Sequence, residues 1–115
     1  MAHDIHARLS YLTISAQKVR LVVDLVRGKN AVEAMDILRF APQSAAKPVA
    51  KLLASAVANA EENFGVSRDD LFVAKIFADE APTRQWRRFG ARGRFKPILR
   101  RTSHVTVILR EREAA

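Results

Sequence analysis

RQWRRFGARGRFKPILRR, residues 84–101, contains seven arginines, one lysine and no acidic residue. The runs LFVAKIFA, residues 71–78, and HVTVIL, residues 104–109, stand on either side of it. Both runs are rich in the β-branched and aromatic residues that suit strands. Two strands joined by a strongly cationic segment predict one long β-hairpin.

Glycines near the midpoint of this segment predict the turn of the hairpin. Gly90 and Gly93 bound the sequence G-A-R-G, which we take as the tip. The arms, 82–89 and 94–101, would each reach roughly 25 Å at about 3.3 Å per residue. An isolated two-stranded ribbon is only marginally stable in water, so we expect the arms to become ordered on a partner.

Charge is distributed very unevenly along the chain. The whole chain has 20 basic and 12 acidic residues, and eight of the basic ones lie in residues 84–101. The other 97 residues are therefore neutral, with 12 of each sign. Concentrated positive charge repels itself, which implies a polyanionic partner. Arginine favours nucleic acid in particular, because a guanidinium group binds phosphate bidentately and stacks on bases.

The length of 115 residues fits a single small domain. We divide domain 1–115 into a body, residues 1–81 and 103–115, and the extended cationic hairpin, residues 82–102. The absence of cysteine excludes disulfides and thiolate metal sites, and it suits a reducing compartment. No apolar run approaches the roughly 20 residues that span a bilayer, so we expect a cytoplasmic protein with no membrane partner.

The N-terminal segment alternates apolar and polar residues, which predicts a strand with one buried face. Its expected inward residues are Ile5, Ala7, Leu9 and Tyr11. Ser15 would then cap a first helix that Gly28 ends. Asn30 and Glu33 form a capping-box pattern for a second helix, which Pro42 would terminate.

A third helix has the longest apolar stripe. Its members recur at helical spacing and are Val49, Leu52, Leu53, Ala56, Val57 and Ala60. Phe64 and Gly65 would end it. Pro48 lacks an amide hydrogen, so the regular helix either begins near it or has a distorted first turn.

Aromatic residues interleaved with arginines suit nucleic-acid binding, because rings and guanidinium planes stack on bases while cations meet phosphates. Trp86, Phe89 and Phe95 are placed in this way; a solvated basic loop is the alternative. A second basic set lies on or just after the first helix. It comprises Lys18, Arg20, Arg27 and Lys29, and it either extends the same footprint or is an ordinary solvated helix face.

Catalytic and metal-binding patterns are not found in the sequence. His3 and His6 would lie on opposite faces of a strand, and no third ligand is near them. The acidic pairs stand at element ends, without the apolar surroundings that tune a general acid. Phosphate-binding glycine loops and nucleophile motifs are also missing. We therefore predict no enzyme activity, no cofactor and no metal.

Three phrases in order resemble one family: ISAQKVRLVVDLVRGK at 14–29, SAVANAEENFG at 55–65 and RRTSHVTV at 100–107. They are similar to the bacterial form of large-subunit ribosomal protein twenty-two. The resemblance implies an α+β fold, with three helices packed on a three-stranded antiparallel sheet and a long protruding β-hairpin. It further implies a structural constituent of the large (50S) ribosomal subunit that binds ribosomal RNA and aids assembly. Its hairpin would line the nascent-peptide exit tunnel.

The same resemblance implies the partners of the chain. These are large-subunit ribosomal RNA, neighbouring ribosomal proteins and the nascent peptide near the hairpin tip, with one copy per ribosome and no homo-oligomer. Composition and resemblance together predict RNA contacts from Lys18, Arg20, Lys29, Arg84, Trp86, Arg87, Arg88, Arg92, Gly93, Arg94, Lys96, Arg100, Arg101, Ser103 and His104. The chain departs from the usual family pattern at Gln17, Gly90 and Phe95.

A DNA-architectural protein is the alternative hypothesis, because such proteins also insert cationic β-arms into nucleic acid. That function would favour an obligate dimer with paired arms. No second apolar surface that could build a dimer is evident in the sequence. The molecular mass in gel filtration distinguishes the two hypotheses.

Overall fold

The computed structural model describes residues 4–89, 93 and 95–112, and for residues 84–89 and 95–98 it describes the backbone. In chain order the elements are β1 (Asp4–Leu12), α1 (Ala16–Val26), α2 (Ala31–Phe40), α3 (Ala46–Phe64), a 3-10 helix (Arg68–Asp70), β2 (Leu71–Phe89) and β3 (Phe95–Glu111). Within this part of the chain, none of the helices is both long and apolar enough to span a membrane.

The strands form one antiparallel sheet in the order β1-β3-β2, so β3 is central and β2 is an edge strand. Pairing of β2 with β3 begins at Leu71 opposite Glu111 and continues to Phe89 opposite Phe95. The molecule is therefore elongated, with extents of 68 × 25 × 19 Å. The predicted α+β class, with three helices on a three-stranded antiparallel sheet and a long hairpin, is confirmed.

The core lies between the helices and one face of the sheet. Valines at helical spacing turn one side of α1 inward, and Val19, Val22, Val23 and Val26 have no exposed surface. α1 packs mainly on β2, whereas α3 packs on β1 and β3. Burial of each such side chain stabilises the fold by about 1.5–3 kcal/mol. The hydrophobic pattern thus holds the helices against the sheet.

The predicted helix ends are correct in position, but neither cap forms as expected. Ser15 and Asn30 occupy the N-cap positions of α1 and α2, and neither side chain makes a capping hydrogen bond. The capping box of Asn30 and Glu33 is therefore wrong. The chain between these helices is instead bonded to the edge of β2: Gly28 donates its N–H to the Val73 carbonyl at 3.0 Å, and Val73 donates to the carbonyl of residue 29 at 2.8 Å.

The third helix begins two residues before Pro48. This proline is the third residue of α3, within the first turn, where a backbone N–H has no partner inside the helix. Gly65 ends the helix at φ 65°, and its N–H donates to the Ala60 carbonyl. That left-handed conformation favours glycine because it has no Cβ.

The inward alternation of β1 stops before Tyr11. Ile5 is buried, but Tyr11 is 61% exposed and has φ 57°. The pairing of β1 with β3 shifts register between Leu9 and Leu12, which is the signature of a β-bulge that re-aims a side chain. The prediction that Tyr11 faces the core is therefore wrong.

A second irregularity marks the base of the hairpin. The β2–β3 register shifts between Ala81 and Arg84, and the Thr102 hydroxyl donates to the Pro82 carbonyl at 2.9 Å. At the tip, Gly93 has φ 74°. Gly90, Ala91, Arg92 and Arg94, which carry the rest of the predicted tip, lie outside the described residues.

Candidate nucleic-acid interface

The paired arms place like charges opposite one another. Arg84 stands opposite Arg100, and Arg88 stands opposite Lys96. Like charges at directly opposite positions destabilise an antiparallel ladder. With no acidic residue between positions 84 and 101, compensation must come from outside this segment. Trp86 and Arg87 lie on the same arm of β2.

A groove lies beside the base of the hairpin, between the β1–α1 connection and the start of both arms. We call it the basal groove, and its charged lining residues are Lys18, Glu80, Arg100 and Arg101. The three cations are exposed and outnumber the single carboxylate, so the groove favours an anionic ligand. The fold thereby brings Lys18 on α1 together with Arg100 and Arg101 on β3, although more than 80 positions separate them in the chain.

Lys29 is not part of this groove. It follows the C-terminal end of α1, 11 positions after Lys18, and a helix advances about 1.5 Å per residue. Its side chain is exposed. The two lysines predicted to bind RNA around α1 therefore lie at opposite ends of the helix.

Two arginines on or just after α1 make hydrogen bonds within the protein. Arg20 Nε donates to the Ala78 carbonyl at 3.2 Å. Arg27 donates from one terminal nitrogen to the Ile76 carbonyl at 2.9 Å and from the other to Asp24 at 2.6 Å. Both carbonyls belong to β2, which is an edge strand of the described sheet. These arginines therefore cover part of the sheet edge, a role that the sequence pattern does not reveal.

Ser103 differs from the other residues that are predicted to contact RNA. It is fully buried, and its hydroxyl donates to the Ile14 carbonyl at 2.8 Å. A buried polar group needs such a partner, because leaving it unbonded costs free energy. The side chain thus joins β3 to the β1–α1 connection and is not exposed on the surface, so we leave Ser103 out of the RNA contacts proposed below.

His104 is half-buried and holds the bulge of β1. Its Nδ1 accepts a hydrogen bond from the Tyr11 N–H at 3.0 Å. The two rings meet edge to face, with centroids 4.7 Å apart and an interplanar angle of 87°. Because Nδ1 accepts this hydrogen bond, Nε2 is the ring nitrogen available to donate. That N–H is the group through which His104 would donate to a phosphate.

Two further cations of the body, besides Arg27, are paired with carboxylates. Arg110 donates from Nε and a terminal nitrogen to Asp4, at 2.6 and 3.3 Å. This hydrogen bond lowers the pKa of the Asp4 carboxyl and raises that of the Arg110 guanidinium. Arg68 donates to Glu61 at 2.7 Å, which raises the pKa of Arg68. Because these two arginines are bonded to carboxylates within the protein, their substitution is a control for the substitution of arginines that contact RNA.

Comparison with known proteins identifies the family. The family model described as "Ribosomal protein L22p/L17e" matches residues 7–110. The chain belongs to this family. A large ribosomal subunit protein uL22 from Pediococcus pentosaceus is 52% identical over 100 residues, which cover 87% of this chain and 85% of that protein. The uL22 protein of Thermoanaerobacter sp. strain X514 is 52% identical over 103 residues, covering 90% of this chain and 93% of that protein.

The family match confirms the resemblance that three short phrases indicated. It covers both lysines around α1 and the whole cationic hairpin. It also decides between the two hypotheses from sequence, in favour of a ribosomal protein over a DNA-architectural one.

Metal binding has no support from the part of the chain that the structure describes, which contains no group of three or more acidic or histidine side chains able to hold an ion. His6 is exposed on β1, and His3 lies outside the described residues. The absence of a metal and of a cofactor stays a prediction.

One residue of the interface is missed by the sequence pattern. The basal groove is also lined by Tyr11, which strict alternation assigns to the core. No glycine or proline marks the bulge that exposes it. The stretch S-Y-L-T-I-S at residues 10–15 mixes polar and apolar residues equally, which is compatible with a regular strand end.

Proposed function

We propose that this chain binds large-subunit ribosomal RNA through its hairpin and its basal groove. The observation that carries the proposal is the register that places Arg84 opposite Arg100 and Arg88 opposite Lys96. A polyanion relieves the repulsion between such pairs, and each neutralised phosphate releases counterions. As a member of its family, the chain is a structural constituent of the large ribosomal subunit and acts in the cytoplasm, within the ribosome.

The proposed contact set keeps the predicted residues except Ser103. They are Lys18, Arg20, Lys29, Arg84, Trp86, Arg87, Arg88, Arg92, Gly93, Arg94, Lys96, Arg100, Arg101 and His104. Arg20 has one nitrogen bonded to Ala78, which leaves its terminal nitrogens as the donors to phosphate. The function is binding rather than catalysis, in keeping with a family of structural ribosomal proteins.

We further propose that residues 82–102 act as one arm and that the body, 1–81 and 103–115, anchors it. The register shift between Ala81 and Arg84 supports a boundary there, because bulges bend a strand and increase its twist. The arm would line the exit tunnel, with the nascent peptide near its tip and neighbouring ribosomal proteins beside it. One copy per ribosome would serve assembly and form the tunnel wall.

Sedimentation of a tagged copy in cell lysate tests this function. We expect the chain to comigrate with the large subunit in a sucrose gradient and to resist a high-salt wash that strips loosely bound basic proteins. Sedimentation with nucleoid DNA, or retention at the top of the gradient, would overturn the proposal.

Titration of the full chain with a transcript of the large-subunit ribosomal RNA tests the electrostatic mechanism. If about six phosphates are neutralised, log affinity should fall against log salt with a slope near −4 to −5. Arg92→Ala and Arg94→Ala should impair subunit assembly more than the matched control Arg110→Ala, because Arg110 is paired with Asp4. Equal subunit profiles for the three variants would contradict the ranking.

A further inference from the structure

Tyr11 combines exposure with a fixed position in a cationic groove. It is the only tyrosine of the chain, and it is 61% exposed. Its φ of 57° is rare for a residue other than glycine. Conformations of this kind cost about 1–3 kcal/mol and persist where the surrounding structure imposes them.

His104 contacts both the backbone and the ring of Tyr11. The imidazole accepts the Tyr11 N–H at 3.0 Å and meets the phenol ring edge to face at 4.7 Å. One side chain thus restrains both the backbone and the ring of Tyr11. Most of the tyrosine surface nevertheless remains uncovered, so the ring is both preorganised and accessible.

The charges around the ring indicate what would cover it. Lys18, Arg100 and Arg101 line the same groove, against the single acidic residue Glu80. An aromatic face beside several cations is the arrangement that binds unpaired nucleotides: the base stacks on the ring and the phosphates meet the cations. A neutral or basic peptide would leave those cations uncompensated.

We propose that Tyr11 is a stacking surface for one unpaired nucleotide of ribosomal RNA, whose flanking phosphates lie on Lys18, Arg100 and Arg101. The inference rests on the proposed RNA-binding function and adds a base contact in the body of the protein, away from the hairpin arms. His104 acts as a positioning residue, because it restrains Tyr11.

Substitution of the ring tests the stacking contact. The full-length wild type, Tyr11→Phe and Tyr11→Leu are titrated with a transcript of the large-subunit ribosomal RNA. Loss of one stacked base weakens binding about five- to 150-fold, so we expect a loss in that range for Tyr11→Leu and none for Tyr11→Phe. The control is Phe40→Leu, which removes an aromatic ring that is 81% exposed at the end of α2 and should leave affinity unchanged.

The salt dependence separates stacking from charge. Tyr11→Leu should keep the wild-type slope of log affinity against log salt, whereas Lys18→Ala should reduce its magnitude by about 0.7–0.9. Unchanged affinity for Tyr11→Leu would overturn the proposal. So would equal losses for Tyr11→Phe and Tyr11→Leu, because both keep an apolar side chain and only one keeps the aromatic face.

Ultraviolet crosslinking of assembled large subunits provides a readout that a purely structural role would not produce. Since the chain has a single tyrosine, a nucleotide adduct on tyrosine reports Tyr11 alone, and we expect mass spectrometry to find it. Adducts confined to the hairpin, or a crosslink from Tyr11 to a protein, would overturn this inference while leaving RNA binding intact. Failure of the wild-type chain to bind the transcript would refute the proposed function itself.

Discussion

Ser103→Ala should destabilise the protein without weakening its contact with RNA. The hydroxyl is fully buried and donates to the Ile14 carbonyl at 2.8 Å. It joins β3 to the β1–α1 connection, two segments 89 positions apart in the chain. Arg101, two positions earlier on β3, is exposed and lines the basal groove, so two residues only two positions apart should have opposite roles.

The size of the effect follows from the lost hydrogen bond. Alanine removes the donor and leaves the Ile14 carbonyl without it, which costs about 1–3 kcal/mol for a buried group. A domain of this kind has a total stability of roughly 5–15 kcal/mol. In a chain slightly longer than about 100 residues each kcal/mol lowers Tm by about 4 °C. We therefore expect Tm to fall by about 4–12 °C.

Two measurements on the same variants test this reasoning. Thermal unfolding followed by circular dichroism gives Tm, and titration of a large-subunit ribosomal RNA transcript at several salt concentrations gives the salt slope. Ser103→Ala should lower Tm and keep the slope. Arg101→Ala should keep Tm and reduce the magnitude of the slope by about 0.7–0.9, the value of one phosphate contact.

The opposite pattern would refute the assignment of these two residues. If Ser103→Ala unfolded at the wild-type temperature and bound RNA more weakly at low temperature, its hydroxyl would be an RNA contact and not a structural bond. A large fall in Tm for Arg101→Ala would show that its guanidinium supports the fold.

Three further predictions concern the body of the protein. Arg27→Gln should lower the free energy of unfolding in urea by about 1–2 kcal/mol, because it loses the hydrogen bond to β2 as well as an exposed ion pair. The control Asp24→Asn loses only the ion pair and should lower the free energy of unfolding by less than about 1 kcal/mol. Gly65→Ala should lower the free energy of unfolding by about 1–2 kcal/mol in the same assay, because φ at this position is 65°. Nothing lies within 4 Å of the added Cβ, so the loss would come from backbone strain alone. An unchanged free energy of unfolding would contradict left-handed strain at Gly65. Because the pKa of Asp4 is lowered in the folded state, its carboxylate stabilises the fold at pH values above the ordinary pKa of 3.8. This stabilisation is lost as pH falls through the folded-state pKa. The wild type should thus lose stability more steeply than Asp4→Asn in acid unfolding, and parallel curves would show that the bond to Arg110 contributes nothing.

Much of the fold was predictable because its signals are local. The valine spacing of α1 and the apolar stripe of α3 depend on residues within a few turns of one another. The strands flanking residues 84–101 likewise follow from composition over short runs. The capping box at Asn30 does not form, and the preceding backbone bonds to Val73 on β2, a partner that the local pattern does not include.

The sequence by itself determined the class of the fold and the kind of partner. Periodicity specifies which face of each helix is buried, and eight cations without an acid in residues 84–101 require an anion whatever the detailed geometry. Tertiary structure decided which polar residues are available to that anion. Ser103 is withdrawn by a carbonyl 89 positions away, Arg27 is bound to the edge of β2, and Tyr11 is exposed by a bulge in its pairing with β3. The physical reason is that hydrophobic burial follows a short-range period, whereas hydrogen-bond partners and strand register depend on residues that meet only when distant parts of the chain have folded together.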